Sequence, residues 1–70
     1  MYEAQRAVGH EIQKIRRRRG ITQDELAEMA GLNRAHLYRI EAGKRNVTLK
    51  TLAILADALG VRIRDLVRTA

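Results

Sequence analysis

An all-α fold of five short helices follows from three features of the sequence. No proline interrupts the 70 residues. Apolar residues recur at helical spacing throughout, and no segment shows the alternation of a strand. Gly20, Gly31, Gly43 and Gly60 each follow a helical stretch, where the backbone turn that ends a helix suits glycine best. Four such stops divide the chain into five helices. At this length the expectation is a single domain, 1–70. A chain so small buries only about 60% of its unfolded surface, so its stability is modest. There is no cysteine to form a disulfide. His10 and His36 have no acidic or thiol partners at metal-ligand spacing. Helix packing alone must hold the fold.

The first helix is predicted from about Glu3 to Arg19, with Val8, Ile12 and Ile15 as its inner stripe. Gly9 lies inside it at some cost in propensity, for which close packing is the reason at hand. Arg16 falls four residues after Ile12, on the same inward side, and a buried arginine needs a partner. Arg17 and Arg18 turn outward. The run from Arg16 to Arg19 reads either as a solvated end that complements the helix dipole or, at Arg17 or Arg18, as a phosphate contact.

The second helix has a clear start. Thr22 and Glu25 form a T-x-x-E capping box, with Ile21 and Leu26 as the staple around it. Leu26, Ala27 and Ala30 face inward, and Ala27 is small enough for another helix to cross closely. Gln23 stands in the first turn, where side chain and backbone N–H groups can meet a phosphate. After the turn Ala30-Gly31-Leu32-Asn33, Asn33 is a good N-cap and Leu32 with Leu37 repeats the staple.

The third helix runs to about Ala42. At 100° per residue, Leu37, Ile40 and Glu41 share one side. Ala35 and Arg39 lie opposite, with Arg34 and Tyr38 on one flank and His36 on the other. Glu41 therefore points to the core and is the partner expected for Arg16, while the two arginines and the histidine point out. A short basic loop, Lys44-Arg45-Asn46, follows Gly43. The fourth helix, capped by Thr48 with Val47 and Leu52 as staple, is apolar on most sides and reads as a central helix covered by the others. The fifth, roughly Ile63 to Arg68, docks through Val61, Leu66 and Val67. Arg62 is a poor N-cap, so this helix should fray first. Arg62, Arg64 and Arg68 form a solvated face.

The formal net charge is +6 and the isoelectric point about 10.8. That balance in a small domain favours a polyanionic partner. With no Phe, no Trp and two tyrosines, the chain is poorly equipped to stack single-stranded bases or to anchor in a membrane surface. Double-stranded DNA fits better. No apolar run approaches the roughly 20 residues of a membrane span, and MYEAQRAVGH lacks a signal-peptide core. A cytoplasmic, nucleoid-associated protein is expected. Enzyme chemistry has little to build on: there is no Cys, no Ser and no His with a convergent acid, and no phosphate-cradling glycine loop. No cofactor is expected.

The landmarks Ile15-Arg16, Gly20-Ile21-Thr22-Gln23, Glu25-Leu26-Ala27, Gly31-Leu32, Ile40-Glu41-Ala42-Gly43-Lys44-Arg45, Leu52, Leu55-Ala56 and Ala58-Leu59-Gly60-Val61 stand together over about Val8 to Val67. In this arrangement the sequence resembles the Cro/C1-type helix-turn-helix family, also called the XRE family, of phage and bacterial repressors. The resemblance implies a compact five-helix, lambda-repressor-like domain with the helix-turn-helix at about 22–42 and the third helix in the major groove. It implies a structural ion pair between Arg16 and Glu41, in agreement with the helical wheel. It places base contacts at Arg34, Ala35, His36 and Arg39. It places backbone contacts at Gln23 and along Lys44, Arg45 and Asn46. Asn33, Tyr38 and Arg17 complete the backbone set expected here, Tyr38 because it lies off the centre of the outward face.

The function expected is that of a small stand-alone transcriptional regulator that occupies a palindromic operator as a homodimer, blocking RNA polymerase as a repressor or else recruiting it. Ile63 and Val67 are either core residues or the dimer surface, since relatives pair through this region. Within the same fold, a restriction–modification controller or the antitoxin of a toxin–antitoxin pair are alternatives. A protein-interaction module without a DNA target is another, though such a module should lack the cations of the third helix.

Overall fold

A computed structural model describes the backbone of residues 2–68 and the side chains of residues 3–68. Its elements are α1 (Tyr2–Arg18), α2 (Gln23–Ala30), α3 (Arg34–Glu41), α4 (Leu49–Leu59) and α5 (Ile63–Val67). Five helices and no strand occur among the described residues. The long α1 packs against α3, α4 and α5, and α2 packs against α3 and α4. Ile12, Leu26, Leu37, Ile40, Leu55, Leu59 and Leu66 are fully buried where these helices meet. Each such side chain stabilises the fold by about 1.5–3 kcal/mol. They come from all five helices, so one core serves the whole molecule.

Local signals in the sequence set the helix ends. Thr22 accepts from the Glu25 N–H and the Glu25 carboxylate accepts from the Thr22 N–H, completing the capping box. Asn33 accepts from the N–H groups of Ala35 and His36, and Thr48 from that of Thr51. Gly31 ends α2 at φ 66°, a left-handed backbone that costs other residues steric strain. At Arg62 no side-chain cap bond forms. The Arg62 N–H instead donates to Asp65, half of a cap that the sequence reading missed.

The two hydrogen bonds from Thr22, backbone first and then side chain, hold the Glu25 carboxyl below the usual glutamate pKa. A depressed folded pKa contributes stability that is present above the unfolded value and lost as pH falls through the folded one. Thr22→Ala is expected to lower stability by about 0.5–2 kcal/mol near neutral pH. It should also flatten part of the loss of stability on acidification below the ordinary glutamate range, since the Thr22 N–H bond, the larger cause of the lowered pKa, survives the substitution. Urea unfolding of both proteins across that range measures both effects.

Gly9 is where α1 and α3 touch backbone to backbone. A Cβ at Gly9 would stand 2.2 Å from the Ile40 carbonyl oxygen and 2.9 Å from that of Glu41. Main-chain atoms cannot rotate away, so Gly9→Ala must push the helices apart. A loss of about 1–3 kcal/mol or more is expected, read by thermal denaturation.

One expectation is corrected. α4 is not covered on all sides. Leu52, Leu55, Ala56 and Leu59 are buried, but Leu49 is 71% exposed and Lys50, Ala53 and Asp57 are exposed as well. Its three packing partners, α1, α2 and α5, cover only one face of this eleven-residue helix.

Candidate nucleic-acid interface

The site is built on α3, and its inner side is fixed first. Arg16 is 7% exposed and Glu41 7%. The Arg16 Nε donates to Glu41 Oε2 at 2.7 Å, and Nη2 donates to Oε1 at 3.0 Å. This bidentate geometry is the strongest form of the pair. The remaining terminal nitrogen, Nη1, donates to the Ile21 carbonyl at 2.8 Å. Gln23 adds a bond from Nε2 to Glu41 Oε1 at 2.9 Å. One buried arginine thus ties the end of α1 to the end of α3 and to the loop before α2. Leu37 and Ile40 complete the inner face.

The outer side of α3 is open. Arg34, Ala35, Tyr38 and Arg39 are exposed, as are Asn33 before the helix and Lys44, Arg45 and Asn46 after it. Arg17 and Arg18 are exposed at the end of α1. The structure refines four positions. His36 is half-buried rather than fully outward. Gln23 is half-buried, with one amide N–H engaged by Glu41. Its other N–H and its carbonyl are the groups with capacity for a phosphate or a neighbour. Asn33 uses its oxygen for the cap, which leaves its NH₂ as donor. The Asn46 oxygen accepts from Gln5 of α1, so the loop after α3 is moored to the first helix. Ile63 and Val67 are partly buried against the core, between the two alternatives the sequence left open.

Three contacts lie outside the sequence expectations, and two of them had no signal in the sequence. Arg34 Nε lies 2.8 Å from Asp24 Oδ1, joining the starts of α3 and α2. Glu11 is buried on α1 with Lys14 Nζ 3.1 Å from one of its oxygens. Its other oxygen has no hydrogen-bond partner among the described residues. The Gln23–Glu41 bond joins residues 18 apart. The Glu11–Lys14 pair has the i, i+3 spacing of one helix face and was legible in the sequence; the other two contacts join different helices, which helical periodicity does not relate. Among the described residues, no group of three His, Cys, Asp or Glu is placed to hold a metal ion. No helix among them is long and apolar enough to cross a membrane.

Two short helices joined at a left-handed glycine, the second with a locked inner face and an open cationic outer face, make a helix-turn-helix of the DNA-reading kind. The chain belongs to the Cro/C1-type helix-turn-helix family, whose model matches residues 12–66. Over 60 residues it is 43% identical to the immunity repressor protein of Bacillus phage phi105, a match covering 86% of this chain but 42% of that protein. It is 38% identical over 65 residues to an uncharacterised HTH-type transcriptional regulator, y4dJ, of Sinorhizobium fredii, covering 93% of this chain and 84% of the relative. Among solved structures, the restriction–modification controller protein C.AhdI from Aeromonas hydrophila superposes with a TM-score of 0.86 at 34% identity, covering 89% of this chain and 94% of that one. SinR, a master regulator for biofilm formation solved in complex with DNA, gives 0.81 at 30% identity over 84% of this chain and 95% of that one. The family is one of DNA-binding transcription regulators, not of enzymes.

Proposed function

We propose that the protein, as a single domain over 1–70, binds a specific site in double-stranded DNA with α3 in the major groove and represses transcription from it. The observation that carries this reading is the division of α3. Its inner side is locked by Arg16, Glu41 and Gln23, while its outer side presents Arg34, Ala35, Tyr38 and Arg39 to solvent. Arg34, Ala35, His36 and Arg39 read base edges. Gln23, Asn33, Tyr38, Arg17 and the loop Lys44-Arg45-Asn46 hold the backbone. Binding as a homodimer would place two recognition helices about 34 Å apart on a palindrome. The half-covered Ile63 and Val67 supply the dimer surface. Bound at a promoter in the cytoplasmic nucleoid, the dimer blocks RNA polymerase.

A second reading, control of a restriction–modification operon, is favoured by the likeness to C.AhdI over 94% of that chain. It uses the same site on a different operator.

Footprinting on the DNA upstream of the protein's own gene, at two salt concentrations, tests the proposal. Two protected half-sites one helical turn apart, retained at the higher salt, are expected. Protection that has no defined edges and fades steeply with salt would leave only phosphate binding and defeat it.

A further inference from the structure

The Asp24–Arg34 ion pair has no evident structural purpose. The two side chains are 66% and 72% exposed, and exposed pairs contribute little to stability. Asp24 also places a negative charge beside the exposed cation of the proposed reading helix, which weakens attraction to a polyanion. As an acidic residue in the first turn of α2 it complements the helix dipole, but Glu25 does this already while closing the capping box. What remains distinctive is the contact itself: Asp24 Oδ1 lies 2.8 Å from Arg34 Nε.

A guanidinium is a planar fork of five N–H donors. With a carboxylate on its Nε side, the free edge is the terminal Nη1/Nη2 pair, which matches the two acceptors, O6 and N7, on the major-groove edge of guanine. Arg34 is also the first residue of α3, the end of a recognition helix that meets base edges. Without Asp24 the same long side chain is free to swing to the nearest phosphate, a contact that carries no sequence information.

We propose that Asp24 is a positioning residue for sequence readout: it holds Arg34 off the phosphates and aims its terminal nitrogens at a guanine, exchanging affinity for specificity. This rests on the assignment of Arg34 to base readout. The sequence-independent part of binding belongs to other cations, so the two effects separate by experiment.

The test selects binding sites from a pool of randomised DNA duplexes for the wild type, Asp24→Ala, Asp24→Asn, Arg34→Ala and the double variant Asp24→Ala/Arg34→Ala. Arg34→Ala identifies the guanine position it reads by removing the preference there. At that position Asp24→Ala and Asp24→Asn are expected to lower the guanine preference roughly three- to five-fold, the scale of an exposed charge pair. Both should bind non-cognate duplex at least as tightly as the wild type. In the Arg34→Ala background, Asp24→Ala should change nothing further at that position. A purely structural Asp24 would instead lower the melting temperature and leave the base preferences as they were. Guanine preference that survives both Asp24 variants, while Arg34→Ala abolishes it, overturns the positioning role alone. Base preferences unchanged by Arg34→Ala overturn the assignment of Arg34 and this inference with it.

Discussion

Glu41→Ala is expected to destabilise the domain by about 3–5 kcal/mol. A domain of this size has a total stability of roughly 4–10 kcal/mol, so the variant should be largely unfolded or close to it. The reason is what the substitution strands. Arg16 would keep its charge, 7% exposed, with only the Ile21 carbonyl as partner. The Gln23 amide would lose its acceptor too. An unpaired buried charge is destabilising well beyond the value of the lost bonds, because its desolvation is no longer compensated. The contrast is the double replacement Arg16→Met with Glu41→Leu. It removes both charges and fills the space with apolar atoms, and it should recover most of the loss. Thermal melts should show a fall of roughly 12–40 °C for the single variant and a much smaller one for the double. Equal melting temperatures for wild type and Glu41→Ala would contradict the buried pair.

Arg34→Ala with Arg39→Ala is expected to erase discrimination rather than binding. A good arginine–guanine pair is worth about 1–3 kcal/mol of discrimination, so two such pairs together separate cognate from non-cognate DNA by roughly 2–6 kcal/mol. Lys44→Ala with Arg45→Ala is the control. Loss of two phosphate contacts should weaken binding to all duplexes alike and reduce the slope of log K against log salt by about 2. Titrations of cognate and non-cognate duplex at several salt concentrations separate the two outcomes. If the Arg34 and Arg39 variant behaves like the loop variant, those arginines bind phosphates and the reading of bases lies elsewhere on α3.

The sequence by itself determined the helices and their ends. Thr22, Asn33, Thr48 and the positive-φ glycines act within a turn of their own position, and the structure finds each where local chemistry puts it. The inner face of α3 was legible for the same reason, since a period of 3.6 fixes which residues share a side. The Arg16–Glu41 pair was legible because each helical wheel turned one charge inward and only the other could satisfy it. The family landmarks then gave the order of the elements in space.

Only the tertiary structure decided contacts between helices whose spacing follows no period. It explained Gly9 by the Ile40 carbonyl that lies against it. It half-buried His36 and engaged Gln23 with Glu41, and it left Leu49 uncovered on a helix that reads as central. It set Asp24 against Arg34. In each case the deciding quantity is the distance and angle between two helices. That depends on how all the side chains of one small core pack at once, and no window of the sequence contains it.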